Sequence, residues 1–119
     1  MTKKFIQAAA CTGVTTLTPA TASTATIDCS LGNLWLITLP TSGTAVTMAT
    51  PTNPTAGQCI QVVFTQGSSV VTAITWPANT VIKWVGGNKT ITATVNAITM
   101  VSMVYTGSIW YASLGGALA

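Results

Sequence analysis

Short apolar runs, each ended by turn-forming residues, set the strongest limit on how this 119-residue chain folds. Turn signals recur about every 8–12 residues, and no segment shows the 3.6-residue apolar period of an amphipathic helix. The clearest run, Gln58–Thr65, places Ile60, Val62 and Phe64 at alternate positions, as in a strand with one buried face. The sequence therefore predicts an all-β protein of about eight or nine short strands, folded as an antiparallel β-sandwich or jelly roll with an extended N-terminal arm.

The turn residues also predict which strands are neighbours. The predicted strands are Thr24–Cys29, Leu34–Leu39, Ala45–Ala49, Gln58–Thr65, Val70–Trp76, Val81–Val85, Thr90–Val95, Ala97–Thr106 and Ser108–Leu114. Gln66–Ser69 is expected to close a hairpin that pairs Val70–Trp76 with the strand before it. Thr106-Gly107 is expected to close a second hairpin between the last two strands. Gly86-Gly87 should supply the positive-φ positions of a tight turn.

The N-terminal segment differs in character from the rest. We predict an extended N-terminal arm over residues 1–21 and one β-sandwich domain over residues 22–119. Val14–Ser23 is rich in Thr and contains Pro19, and both residue types oppose a helix. Chain ends are usually disordered unless something holds them. Phe5 and Ile6 are therefore the expected apolar anchors of the arm on a neighbouring molecule.

Charged residues make up only 4 % of the chain, with a formal net charge of +3. Soluble surfaces normally carry about 25–35 % charged residues of both signs. A surface with so few charges tends to associate through its apolar patches. The composition thus predicts burial against copies of the same chain or against a larger partner. The alternative is a Thr-rich extracellular β domain that stays soluble on its hydroxyl groups.

The side chains needed for most enzyme chemistry are absent. The sequence has no His, no Glu and no Arg, and Asp28 is its one carboxylate side chain. A Ser-His-Asp triad cannot be built without His, and glycoside hydrolysis usually needs two carboxylates. We therefore predict that the protein is not an enzyme, has no catalytic residue and uses no cofactor. Asp28 is expected to accept hydrogen bonds from backbone N–H groups in a loop.

Metals, nucleic acids and membranes are also poor candidates as partners. The spacing of Cys11, Cys29 and Cys59 fits no metal motif, so we predict reduced thiols, with a disulfide as the alternative. Lys83 and Lys89 are too few for a nucleic-acid surface. No stretch approaches the length of a transmembrane helix. The expected partners are therefore proteins, with no nucleic acid and no membrane.

Large aromatic side chains are concentrated in the second half of the chain. Each buries about 150–250 Å² when it packs, and such residues fill cores and subunit interfaces. We assign that role to Trp35, Trp76, Trp84, Trp110 and Tyr111. The alternative for the last four is an exposed platform on which sugar rings stack.

Several short motifs occur in an order that resembles a known module. In chain order they are Thr26-Ile27-Asp28, Asn33-Leu34-Trp35-Leu36, the Pro/Asn loop Pro51–Gln58, Phe64–Gly67, Ile74-Thr75-Trp76-Pro77, Lys83-Trp84 with Gly86-Gly87, and the Gly-x-x-Trp-Tyr of Gly107–Tyr111. Together they make Ala25–Tyr111 resemble a β module found in small phage virion proteins and at the distal ends of phage tail fibres. The chain departs from that pattern at Asn96-Ala97-Ile98, where we expect the module to carry Gly and Asp.

The resemblance implies a structural role in a virion, assembled in the host cytoplasm. Our expectation is a phage capsid decoration (cement) protein, forming a homotrimer that clamps neighbouring major capsid subunits. It would use its N-terminal arm and a flat, weakly charged base. One alternative is a tail-fibre or receptor-binding tip protein that adheres to a host surface glycan. Another is a carbohydrate-binding module unconnected to any virus.

Overall fold

Nine β-strands and no α-helix form the described part of the chain. The computed structural model describes residues 13–118, with side chains as far as Gly115. The strands are β1 Val14–Leu17, β2 Thr24–Ala25, β3 Leu34–Thr38, β4 Val46–Met48, β5 Cys59–Thr65, β6 Ile74–Thr75, β7 Ile82–Trp84, β8 Ile98–Tyr105 and β9 Trp110–Leu118. A single 3-10 turn at Val85–Gly87 follows β7, and Gly86 and Gly87 both have positive φ, as predicted. The predicted all-β class is confirmed for these residues.

The first six strands alternate between two sheets. The larger sheet has the order β1-β3-β5-β8-β9-β7, and the smaller has the order β2-β4-β6. β1, β3 and β5 run parallel to one another, and so do β2, β4 and β6. Each successive pair of strands therefore forms one rung of a coil, and three rungs stack to give a β-solenoid-like arrangement.

The predicted antiparallel β-sandwich or jelly roll is therefore wrong for β1–β6. Alternating apolar residues identify the buried face of a strand, but they do not give the direction of its neighbour. Gln66–Ser69 also closes no hairpin, because the chain leaves β5 in the larger sheet and enters β6 in the smaller one. Parallel neighbours need a long crossover connection. In this molecule each crossover runs through the opposite sheet.

The rungs differ in length, which explains why the sequence shows no repeat of fixed period. Val14 pairs with Leu34, which is 20 positions later, whereas Leu34 pairs with Gln61, which is 27 positions later. A short ladder at one corner also joins two rungs. There the N–H of Cys29 donates to the carbonyl of Thr52 at 2.8 Å, and the N–H of Thr52 donates to the carbonyl of Ile27 at 2.9 Å.

The C-terminal strands follow the antiparallel pattern that the sequence predicted. β8 pairs with β5 on one side and with β9 on the other, both antiparallel. The hairpin at Thr106-Gly107 is confirmed: the Thr106 N–H donates to Ile109 O at 3.0 Å, and Gly107 has a φ of 111°. β7 adds to the outer edge of β9 in parallel. The segment predicted as the strand Thr90–Val95 forms no strand and runs beside β6 instead.

The core lies between the two sheets and is continuous from the rungs to the hairpin. Its largest fully buried aromatic side chains are Trp35 on β3, Phe64 on β5 and Trp110 on β9. Aliphatic side chains complete it, among them Ile27, Ile37, Val46, Ile60, Ile82 and Val101. Both halves of the molecule therefore share one apolar interior.

Part of the predicted arm belongs to the first rung. Val14–Leu17 form β1, which pairs with β3, and Leu17 packs against the core. The first rung thus extends to both sides of residue 22, the predicted start of the domain. Phe5 and Ile6, the predicted anchors, lie outside the described residues.

Candidate functional site

The outer face of the six-stranded sheet carries the largest ordered array of exposed apolar side chains. Five of the nine exposed large hydrophobic residues of the described chain project from it; they are Val14, Leu36, Met100, Val104 and Tyr111. The other four lie in connections between strands. We call this surface the outer face.

Strand register arranges the outer face in rows. Thr16 on β1, Leu36 on β3, Val63 on β5 and Met100 on β8 occupy successive paired positions across four strands. Leu36 is 37 % exposed and Met100 is 38 % exposed. Because neighbouring strands lie about 4.8 Å apart, this row crosses the sheet over roughly 15 Å, with three apolar side chains beside Thr16.

A second row ends at Lys83, the one charged residue that the described strands place on this face. Cys59, Val104, Tyr111 and Lys83 are partners in register across β5, β8, β9 and β7. A shallow depression of about 280 Å³ lies around Cys59, Val104 and Tyr111. Lys83 lies on the edge strand, so among residues 13–118 the charge of this face is at its margin.

Between these rows lies a polar pair whose hydrogen bond is already made. The hydroxyl of Ser102 donates to the Oε1 of Gln61 at 2.8 Å. Covering the pair therefore leaves its main hydrogen bond intact, which keeps the cost of desolvation low. The outer face thus has an apolar surface, a polar centre that makes one internal hydrogen bond and a charge at its rim, which suits contact with another protein.

The structure divides the aromatic residues singled out in the sequence between the interior and the surface. Trp35 and Trp110 are 1 % exposed and Trp84 is 9 % exposed, all in the core cluster. Trp76 is partly buried and packs against that cluster. Tyr111 is 49 % exposed on the outer face.

Trp76 and Trp84 do not form a coplanar platform. Their ring centroids are 4.7 Å apart with an angle of 60° between the planes, and Trp76 also meets Phe64 edge to face. The indole N–H of Trp76 donates to Lys89 O at 2.8 Å. Among the described residues, the buried indole N–H of Trp84 lacks a hydrogen-bond partner. These rings serve mainly to join β7 and the segment after it to the core.

Asp28 has a structural environment. Its Oδ1 accepts hydrogen bonds from the Ser30 hydroxyl at 2.6 Å, the Asn53 amide at 3.0 Å and the Ser30 N–H at 3.0 Å. The sequence predicted the last of these, a bond from a backbone N–H. These bonds favour the ionised carboxylate and lower the pKa of Asp28, with Ser30 the largest cause. The carboxylate therefore ties two successive rungs together at their corner.

Two of the three cysteines lie in the described chain, and both are free thiols. Cys29 is buried beside the corner ladder, and burial raises the pKa of its thiol to about 11. Cys59 is exposed on the outer face. Cys11 lies outside the described residues. Within residues 13–118, no cluster of three or more metal-ligating side chains occurs, and no helix is long and apolar enough to span a membrane.

A second surface feature is a groove of about 540 Å³ beside β6. One wall is the extended segment Val71–Trp76, and the other is Lys89–Ala93. Gln66 crosses one end: its Nε2 donates to Thr72 O at 3.0 Å and to Thr92 O at 3.2 Å. The bond from Trp76 to Lys89 closes the other end. We call this the β6 groove.

Sequence reasoning did not select the outer face or the β6 groove. Leu36, Val63 and Met100 stand at outward positions of predicted strands, but their alignment in one row depends on the register of one parallel and one antiparallel strand pair. The sequence predicts a turn at Gln66, because a Gln that follows a strand and precedes a Gly gives no sign that its side chain is buried.

A scan against protein-family models and searches of curated proteins and of solved structures found no match to this chain.

Proposed function

We propose that this protein is a phage virion structural protein, a capsid decoration (cement) protein that attaches to major capsid subunits through its outer face. The observation that supports this most directly is the apolar row Thr16–Leu36–Val63–Met100 on a face whose one charge is marginal. Exposed apolar patches of this kind mark protein interaction sites. The motif order over Ala25–Tyr111 is the reason to place the partner in a virion.

The tail-fibre or receptor-binding tip protein is the alternative within the same resemblance. It needs exposed aromatic rings that stack on a host glycan. Among the aromatics assigned from the sequence, Tyr111 alone is more than about one third exposed in the described chain. The capsid role is therefore favoured, because it uses the aliphatic side chains that the outer face offers.

Capsid binding tests the outer face directly. Particles that lack the protein are mixed with the wild type or with the double variant Leu36→Lys, Met100→Lys, and bound protein is measured by co-sedimentation. Two unpaired charges buried in the contact should weaken binding by at least about 100-fold. Val95→Lys is the matched control, because Val95 has similar exposure (42 %) but lies in a connection, outside the strands that form this face. Equal loss in the control would contradict the assignment.

The N-terminal arm is the second proposed contact, and the homotrimer is the proposed unit. Phe5 and Ile6 should each contribute roughly 1.5–3 kcal/mol if a neighbour buries them. The variant Phe5→Ser, Ile6→Ser is expected to keep the denaturation midpoint of the wild type while binding particles more weakly. Unchanged binding by this variant would remove the arm from the proposal without affecting the outer face.

A further inference from the structure

The β6 groove has the geometry of a missing strand. β6 is the last strand of the three-stranded sheet, and β4 pairs with it on one side only. On that side the N–H of Val46 donates to Ala73 O at 3.0 Å. Backbone groups alternate in direction along a strand, so those of Thr72 and Ile74 point the other way, into the groove. The sheet could therefore be extended there by one more strand.

A side-chain amide already imitates that strand at one position. The N–H of Thr72 donates to Gln66 Oε1 at 2.9 Å, and Gln66 Nε2 donates back to Thr72 O at 3.0 Å. These two bonds occupy the positions of the pair that the N–H and C=O of one facing residue would make in an adjacent antiparallel strand. Gln66 is 4 % exposed, so the substitute amide is built into the fold. Ile74, two positions further, presents the same pair of backbone groups to the open groove.

We propose that the β6 groove receives the segment Met1–Thr12 of a second copy of the chain as an added β-strand. This inference rests on the proposed assembly and names the site that the arm occupies. The groove has a volume of about 540 Å³. Main-chain bonds to an exposed sheet edge are a general means of binding extended segments.

The length and composition of the segment suit this role. Twelve residues precede Gly13, and they span about 40 Å when extended at about 3.3 Å per residue. About five residues cover the groove, which leaves the others to reach from one copy to the next. Phe5–Ala10 is uncharged, and the groove wall contains Lys89 as its one charged residue. No repulsion between like charges therefore opposes contact along Phe5–Ala10.

Peptide competition on the full chain tests the proposal. The probe is the synthetic peptide of residues 1–12 carrying Cys11→Ser, added in excess during sedimentation at micromolar protein concentration. We expect the oligomer to dissociate and the amide signals of Ile74 and Lys89 to shift in NMR spectra. The inference is overturned if the chain is monomeric without peptide, or if excess peptide does not dissociate the oligomer. A monomer whose Ile74 amide is protected at every concentration also overturns it, because the groove would then hold its own segment.

Two methylated peptides form a matched pair. One carries backbone N-methyl groups at Phe5 and Gln7, and the other carries them at Ile6 and Ala8. An added strand would lie between β6 and Lys89–Ala93, so its alternate N–H groups would face one wall or the other, and both peptides should lose at least about tenfold in potency relative to the unmethylated peptide. Undiminished potency of both methylated peptides contradicts strand addition. Capsids are absent from these experiments, so the two proposals can fail separately. If the chain binds particles but the peptides do not dissociate its oligomer, this inference alone is refuted. The reverse result refutes the proposed function alone.

Discussion

The stacked rungs of β1–β6 and the hairpin of β8 and β9 are built on different distances along the chain. In the hairpin, Tyr105 pairs with Trp110, so one short turn brings the partners together. In the rungs, paired residues lie 20 to 28 positions apart, as for Val14 with Leu34 and Val46 with Ile74. The hairpin is therefore specified locally, whereas the rungs depend on contacts at their corners.

Two glutamines at the ends of β5 provide many of those corner contacts. Gln58 Nε2 donates to Cys29 O and to Asn33 Oδ1, both at 2.8 Å, and so joins the third rung to the second. Gln66 joins Thr72 to Thr92 in the same way beyond the other end. The comparison of rungs and hairpin indicates that side-chain amides connect segments of the rungs that are too far apart in sequence to be joined by a local turn.

The largest expected effect tests whether the two regions are one cooperative unit. Phe64 on β5 is fully buried, and β5 belongs to the last rung and pairs with β8 of the hairpin. Phe64→Ala should lower the free energy of unfolding by about 3–5 kcal/mol. Denaturant titrations followed by tryptophan fluorescence and by far-UV circular dichroism should still coincide.

Val63→Ala is the matched control for Phe64→Ala. Val63 is the preceding residue and points to the outer face, where it is only partly buried. Its truncation should cost less than about 1 kcal/mol in the isolated protein. Separate transitions for the two probes in either variant would show that rungs and hairpin unfold independently.

An intermediate effect is expected where the rungs end. Gln66→Ala removes the amide from Thr72 and Thr92 and leaves buried backbone groups without partners, which costs about 1–3 kcal/mol. Gln61→Ala, on β5 and exposed on the outer face, should cost about 0.5 kcal/mol or less. Urea denaturation measures both. Similar losses for the two glutamines would mean that the corner amides are not what holds the rungs.

These differences explain how much of the fold was predictable from the sequence. Strand positions such as Gln58–Thr65 and the hairpin at Gly107 follow from apolar alternation and turn chemistry, both of which are local. The parallel rungs do not, because alternation is the same for either strand direction. The sequence predicts a hairpin turn at Gln66–Ser69, because nothing in it indicates that the side-chain amide of Gln66 is buried and bonded to Thr72.

The same limit applies to the candidate site. Leu36, Val63 and Met100 can each be placed on the outward side of a strand from the sequence alone. Their meeting in one row requires the register between strands that are 27 and 37 positions apart. A one-residue slip of any strand would turn its residue inward. The apolar row therefore depends on the register between strands. The composition alone predicts only that part of the surface is buried against another molecule.

The last expected effect is absent at neutral pH: it is a dependence of stability on alkaline pH, confined to a corner of the rungs. The thiol of Cys29 has a pKa raised to about 11, first by burial and then by the charge of Asp28, against 9.0 for a free thiol. Between these values the folded protein keeps the proton and the unfolded chain loses it, so stability is fully present below about pH 9 and falls as the pH rises towards 11. Cys29→Ala should lack this part of the decline, whereas Cys59→Ala, at an exposed site, should retain it. Denaturation midpoints measured at intervals from pH 8 to 11 distinguish the two variants. If the midpoints of the wild type and of Cys29→Ala fall in parallel with rising pH, the buried thiol does not couple folding to proton binding.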